Sequence, residues 1–343
     1  MQTTQHPTSP PKFRKFVALL GAALCLGTAF QVQAAGMVDP AREGYYNALK
    51  GKRVVFVPVF MGLDLTEGWA AIMKKEADAN GYKFEVRNAN WSTAAGAQTL
   101  TSLISEKPDV ILVQNPDVQS YGKLMQRAEA AGIHVIQVNM KSNITTDGFA
   151  GADWVAMGEM QAKWMGENCS SGSGKVAVVQ GPPTAAASAY TLKGVENMLL
   201  NYPKIKLVSV QSADWDASKA KNVTQVVLQQ NPDLCGIIGF WDNMDVGTAA
   251  AIKEAGKTGK VKLVTSGGGA VSACEGVRDG KFDMNVSYDV PGQGRDLNNM
   301  IKMFLSSSAK PGTMRAAYYT PLIQLTKERS NPAEFCWRME NLK

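Results

Sequence analysis

Histidine is almost missing from this chain. Only His6 and His134 occur, and His6 falls in the leader described below. A Ser-His-Asp triad, an HExxH zinc centre or a two-histidine iron site would therefore have to use His134 or could not exist. His134 lies inside an apolar run that reads as a strand, a position suited to a satisfied imidazole rather than to a general base. Cys169, Cys235, Cys274 and Cys336 are nowhere in CxxC spacing, so neither a zinc knuckle nor a thioredoxin motif is offered. Gly-rich stretches occur at 171–175 and 266–269, and neither is GxxxxGK[ST], nor GxGxxG between a strand and a helix. No carboxylates are spaced to suggest acid–base work. The sequence points to no catalytic residue, no metal ligand and no cofactor.

What the residue types do offer is recognition. Trp91, Trp215 and Trp241 each fall just past an expected strand, as do Asn115 and Asn139. Aromatic faces pack against the C–H faces of sugars and polyols, while amides and carboxylates fix hydroxyls. Small-molecule sites combine such apolar walls with few polar groups. A single tryptophan is as readily core as site; three at the same ends of strands favour the site. Trp69, on an expected helix, reads as core.

The elements that would carry these residues alternate with regularity. Strands are expected over 54–59, 82–88, 109–114 and 134–138, then over 175–179, 206–210, 236–240, 261–265 and 284–288. Helices are expected over 66–80, 94–106, 119–131, 154–168, 187–200, 217–230, 246–255 and 271–278, with Gly81 ending the first. Runs such as Val54-Val55-Phe56-Val57 are apolar throughout, the pattern of strands buried on both faces of a parallel sheet. Alternation with helices of 10–15 residues gives βαβ units with right-handed crossovers, here in two sets. A ligand would sit at the carboxyl ends of the strands.

The 343 residues suit two domains. Lys12, Arg14 and Lys15 precede an uncharged run over 16–30, and Val32-Gln33-Ala34 supplies a small-residue cleavage site, so 1–34 read as a secretion signal. The run is short for a membrane span. Leu24 before Cys25 lacks the small residue of a lipoprotein signal. The three leader cations account for half of the formal charge of +6, and the remaining basic residues are scattered among acids. No nucleic-acid or membrane-surface function is expected. In an oxidising compartment the four later cysteines could form two bridges in three connectivities, or stay as buried thiols. Cys169 with Cys235, both just ahead of strands expected to be neighbours, is the favoured link.

Several segments carry a family resemblance across nearly the whole chain past the leader. They are Lys75-Glu76-Ala77-Asp78 with Gly81-Tyr82, Asn115-Pro116, Ala131-Gly132-Ile133, Ala213-Asp214-Trp215-Asp216, Asn231-Pro232-Asp233, Asp242-Asn243-Met244 and Asp279-Gly280-Lys281-Phe282. With them the chain resembles the type I periplasmic sugar-binding proteins of ABC importers, close in layout to the ribose-binding group. The resemblance implies an α/β fold of two doubly wound parallel-sheet lobes joined by a three-segment hinge, with crossings near 151–153, 288–291 and 316–320. It implies lobes made of 35–151 with 290–317 and of 152–289 with 318–343. It also implies a monomer that closes on its ligand and hands it to an ABC transporter permease.

Residue by residue, the resemblance keeps only part of the ligand pattern. Asn115 matches an asparagine that bonds ligand hydroxyls, Lys193 stands where the group has an arginine, and Trp215 replaces a stacking phenylalanine. Asn139-Met140 stands at an Asp-Arg pair, Trp241 at an asparagine, Ser266-Gly267 at Phe-Asp, and Tyr288 at a glutamine. Leu63-Asp64-Leu65-Thr66 replaces an Asn-Pro-Phe-Phe loop. These changes remove charge-assisted, orienting hydrogen bonds. Ribose and common hexopyranoses are therefore not the expected best ligands; a small neutral sugar or polyol held between tryptophans is. The expected ligand-binding residues are Asp64, Trp91, Asn115, Asn139, Met140, Lys193, Trp215, Trp241, Asp242, Gly267 and Tyr288. The alternative is a ligand-sensing receptor of the same fold that presents a small molecule to a chemoreceptor or histidine kinase.

Overall fold

A computed structural model describes residues 39–342. The expected leader, with His6 and Cys25, lies outside them. The chain enters through α1 (Pro40–Leu49), then runs β1 (Arg53–Val57), α2 (Asp64–Asn80), β2 (Lys83–Val86), α3 (Thr93–Glu106), β3 (Val110–Val113), α4 (Gly122–Ala130), β4 (His134–Val138) and β5 (Gly148–Gly151). A second set follows: α5 (Trp154–Cys169), β6 (Lys175–Gln180), α6 (Ala186–Leu199), β7 (Lys206–Ser212), α7 (Ala217–Gln230), β8 (Gly236–Gly239), α8 (Asp242–Glu254), β9 (Lys262–Gly267), α9 (Val271–Arg278) and β10 (Met284–Ser287). The tail holds α10 (Val290–Ser306), β11 (Ala316–Tyr319), β12 (Ile323–Leu325) and the short α11 (Pro332–Phe335).

These strands form two sheets. The first has the order β11-β5-β4-β3-β1-β2 and is parallel throughout. The second has the order β12-β10-β9-β8-β6-β7 and is parallel except for β12, which runs antiparallel to β10. Read from the β2 and β7 edges, the two orders are the same, each doubling back beside its first strand. In each sheet this reversal opens a crevice at the carboxyl ends, between β1 and β3 and between β6 and β8.

Alternate residues of one strand feed different cores. Val54 and Phe56 join one apolar cluster while Val55 and Val57 join another across the sheet, all fully buried. That two-sided burial is why the central strands are apolar runs. Gly81 ends α2 as expected, in a left-handed conformation with its N–H donating to Ala77 O. Trp69 is fully buried, as its helix position suggested. His134 is structural: its ring stacks on Phe304 at 4.8 Å and its Nδ1 lies 2.8 Å from Asp147 Oδ2.

The chain passes between the lobes at 152–153, 288–289 and 320–322. The third passage falls just beyond the expected 316–320 because 316–319 is itself a strand of the first sheet. Two disulfides secure the second lobe. Cys169–Cys235 ties the end of α5 to the start of β8, and Cys274–Cys336 ties α9 to the tail. Beyond that bridge, Trp337 donates from Nε1 to Gly268 O and from its backbone to Gly269 O. Trp337 and Leu342 also lie against α2 of the first lobe, so close that a Cβ on Gly68 would sit 3.2 Å and 3.4 Å from them. The tail thus belongs to one lobe and rests on the other. No helix among the described residues is long and apolar enough to cross a membrane.

Candidate ligand-binding site

The loops at the carboxyl ends of both sheets converge on one cavity. After β2 the chain reads Ala89-Asn90-Trp91-Ser92, and after β7 it reads Ala213-Asp214-Trp215-Asp216. The two loops are built alike. Asn90 and Trp91 have φ of 52° and 59°; Asp214 and Trp215 have φ of 50° and 63°. Left-handed backbone at non-glycine residues costs on the order of 1–3 kcal/mol each and persists where the surroundings enforce it. Here the enforcement is visible. Ala89 and Trp91 donate to Pro58 O and Val59 O beyond β1, and Ala213 donates to Gln180 O at the end of β6. Each loop then starts a helix with a side-chain cap: Ser92 Oγ accepts from Ala95 N, and Asp216 Oδ1 accepts from Lys219 N. Each lobe therefore holds out one tryptophan on a rigid two-residue turn.

The indoles are fixed by further contacts. Trp91 stacks on Phe60 at 5.4 Å and remains half exposed. Trp215 lies over Gly181, where an added Cβ would fall 2.0 Å from the ring, and meets Trp241 edge-on at 6.1 Å. Trp241 N donates to Asp245 Oδ2. Trp154, opening α5, donates from Nε1 to Asn139 O and packs edge-on against Tyr288. Asn139 itself is left-handed, with φ of 58°.

Together these residues wall an inner chamber with a cavity volume of about 50 Å³. Val59, Leu63 and Leu65 add apolar surface from the first lobe, and Ala187 and Phe240 from the second. None of the lining side chains is charged. Polar groups are few: Gln114, Asn139 and the hydroxyl of Tyr288, beside the indole N–H groups. The chamber opens past Trp91, Met140, Trp215 and Trp241 into a wider vestibule of about 620 Å³, where Asp117, Asp214, Asp216 and Lys219 stand. Lys219 donates to Asp214 and holds its carboxyl below the usual range.

The expected site residues thus divide. Trp91, Asn139, Met140, Trp215, Trp241 and Tyr288 are brought together on the chamber wall. Asn115 stands behind it, fully buried, with Nδ2 committed to Gln137 Oε1 and Met140 O. Asp242 is in the first turn of α8, which starts four residues ahead of the helix expected over 246–255. Its carboxylate accepts from Asn285 Nδ2 and Asn243 N, under Gly267, where an added Cβ would strike it at 2.0 Å. Burial pushes this carboxyl up to about 6. Asp64 and Asp242 share a small adjoining cavity with Trp337. Lys193 projects exposed from α6 and does not line the chamber. Gln114, Trp154 and Phe240 line the chamber without having been expected. The first and last adjoin positions already singled out, and an alternating strand that turns Asn115 inward would put Gln114 on the other face.

The lobes meet around this cavity. Val118 N donates to Thr184 O across the cleft. Lys141 Nζ lies over the rings of Phe149, Tyr190 and Tyr319 at 5.6, 5.3 and 5.2 Å, and donates to Tyr319 Oη at 3.0 Å. Tyr190 comes from α6 of the second lobe; the other two rings come from the first.

A two-lobed α/β chain with three crossings and one interlobe chamber has known counterparts. The periplasmic binding protein domain family matches residues 54–309. This chain belongs to that family. Among curated proteins it is similar to the xylitol-binding protein of Mycolicibacterium smegmatis, 29% identical over 61% of this chain and 60% of that one. It is also similar to the ribose import binding protein of Bacillus subtilis, 27% identical over 63% of this chain and 69% of that one. The D-allose-binding periplasmic protein of Escherichia coli is 33% identical over 41% of this chain and 48% of that one. The aligned part thus spans between about half and two thirds of these relatives. A solved periplasmic solute-binding protein of an ABC transporter from Actinobacillus succinogenes, with bound D-allose, shares the fold at a TM-score of 0.71 and 24% identity, over 81% of this chain and 99% of that one.

Proposed function

We propose that this chain is a periplasmic solute-binding protein that captures a small neutral sugar or polyol by lobe closure and delivers it to an ABC importer. The observation that carries the reading is the chamber itself, walled by one rigidly held tryptophan loop from each lobe and free of charged lining. An uncharged aromatic slot matches the C–H faces of a saccharide ring. Because both lobes line it, ligand contacts form together only when the lobes are closed, and this differential affinity drives the closure. The names of the relatives, which bind xylitol, ribose and D-allose, support the ligand class.

In this reading Trp91, Trp215 and Trp241 stack on the ligand, while Asn139, Gln114 and Tyr288 address its oxygens. Met140 floors the chamber, and Asn115, Asp242 and Gly267 hold the walls from behind. Asp64 stands in the small cavity beside the chamber, and Lys193, exposed on α6, takes no part. The chain works as a monomer and binder rather than a catalyst, reaches the periplasm through cleavage of residues 1–34, and presents both lobes to a membrane permease. The strand membership of the two sheets supports the expected division into 35–151 with 290–317 and 152–289 with 318–343 except at its last boundary, which it puts after Tyr319 because β11 belongs to the first sheet.

Calorimetry over pentoses, hexoses, pentitols and furanoses tests this. Binding of at least one member is expected, weakened at least tenfold, about 1.4 kcal/mol, in Trp215→Ala. A panel with no binder, or an unchanged affinity in the variant, would remove the reading.

A further inference from the structure

The hydrogen-bonding groups at the chamber are unequal in a way that bears on its ligand. The side-chain and backbone acceptors nearest to it are already engaged from behind. Gln114 Oε1 accepts from Val59 N, Asn139 Oδ1 accepts from Gln293 Nε2, Asn139 O accepts from Trp154 Nε1, and Met140 O accepts from Asn115 Nδ2. The donors are not. Gln114 Nε2, Asn139 Nδ2 and the indole N–H groups of Trp215 and Trp241 donate to no described residue, and against these four groups the lining offers one unpaired group that can also accept, the Tyr288 hydroxyl. The orientation of Gln114 is set by physics, since the Val59 N–H can face only its oxygen; the amide NH₂ is what remains to point elsewhere. No carboxylate lines the chamber to receive a ligand hydroxyl.

A hydroxyl buried in such a chamber can accept a bond but must also place its own proton, and an unplaced buried donor carries a desolvation penalty. Carbonyl, ether and lactone oxygens accept without donating. Building on the solute-binding reading above, we propose that the chamber prefers lactones and cyclic ethers of the sugar series over the corresponding free sugars and polyols, with Gln114 as a residue that sets this preference. The stacked indoles add to the selection, because a ring stripped of hydroxyls offers more apolar surface to them.

Matched pairs test the idea: D-ribono-1,4-lactone against D-ribose, and 1,5-anhydroxylitol against xylitol, each titrated calorimetrically into the full secreted chain. The member with fewer O–H groups is expected to bind at least tenfold tighter in both pairs. In Gln114→Glu, which keeps the acceptor for Val59 N but replaces the free NH₂ with a carboxylate oxygen, the ratio is expected to fall to unity or invert. Equal or tighter binding of ribose and xylitol by the unaltered protein would overturn the preference while leaving the solute-binding reading intact. A ratio unmoved by Gln114→Glu would overturn the role of that residue. Binding of none of the four, by a variant or by the parent, would overturn this proposal and count against the saccharide reading with it.

Discussion

Single residues in this protein owe their properties to what encloses them. Asp245 is fully buried between Gly239 and the hydroxyls of Thr265 and Thr248, with Trp241 N donating to it, and burial raises its carboxyl to about 7. An unfolded aspartate titrates near 3.9. Between those values the native state holds a proton that the unfolded state has lost, so the contribution of Asp245 to stability is complete below about pH 4 and disappears as pH rises through 7. Asp242, raised to about 6, adds a contribution of the same sign. The thermal midpoint is therefore expected to decline between pH 4 and 7, and Asp245→Asn, which mimics the protonated form, should flatten that slope in calorimetric scans. A slope that is equally steep in the variant would contradict the assignment.

Elements in the second lobe approach one another more closely than side chains would allow. Where α5 crosses α6, a Cβ on Gly158 would lie 2.0 Å from Thr191 O, and one on Gly194 would lie 2.0 Å from Val155 O. Both obstacles are backbone, which cannot step aside. Gly194→Val is expected to destabilise by about 3 kcal/mol, read as a loss of denaturant midpoint with the slope unchanged. An effect within 0.5 kcal/mol would mean the helices can slide apart. These helices carry Trp154 and Ala187 into the chamber, so their separation is a functional dimension as well as a structural one.

How far the elements could be read in advance depended on where each meets solvent. The central strands, buried on both faces, are β-branched runs, and every one expected is present. The far end of the first sheet is different: β5 is Gly-Phe-Ala-Gly and β11 is Ala-Ala-Tyr-Tyr, neither of which has a strand's composition, and pairing orders them in turn, β5 on β4 and β11 on β5. Similarly, α10 opens on Val-Pro-Gly-Gln-Gly after a left-handed Asp289, a poor helical start on propensity, and is held by packing against α2. The chamber followed the same logic. Its tryptophans were readable because a large aromatic beyond a strand end is conspicuous. Gln114 and Trp154 were hidden because one is a strand residue and the other a helix start, and Asn115 and Asp242 were expected at the ligand although their partners lie in distant segments.

At the scale of the whole molecule, the closure proposed above would rest on contacts outside the chamber as well as on the ligand. Lys141 reaches Tyr190 of the opposite lobe while adjoining Met140 on the chamber wall. A partly exposed cation–π contact of this kind is worth about 0.5–1 kcal/mol. Tyr190→Ala removes it without entering the chamber, so the closed state should be less favoured and affinity should fall about threefold, mainly through faster release. Small-angle scattering should show the unliganded variant more expanded than the parent. No change in either release rate or dimensions would show that the contact only accompanies closure.

The tail gives that motion a mechanical character. It is sewn to the second lobe through Cys336 and leans its last turns, by way of Trp337 and Leu342, on the first. Hinge rotation must either peel those side chains from α2 or bend the segment that bears them, so the tail behaves as a leaf spring laid across the joint. Force applied at the carboxyl terminus acts on the spring before it acts on either lobe. Cutting the stitch at Cys274 would leave the three crossings in place but free the tail from α9, separating the stiffness that belongs to the crossings from the stiffness that belongs to the strap.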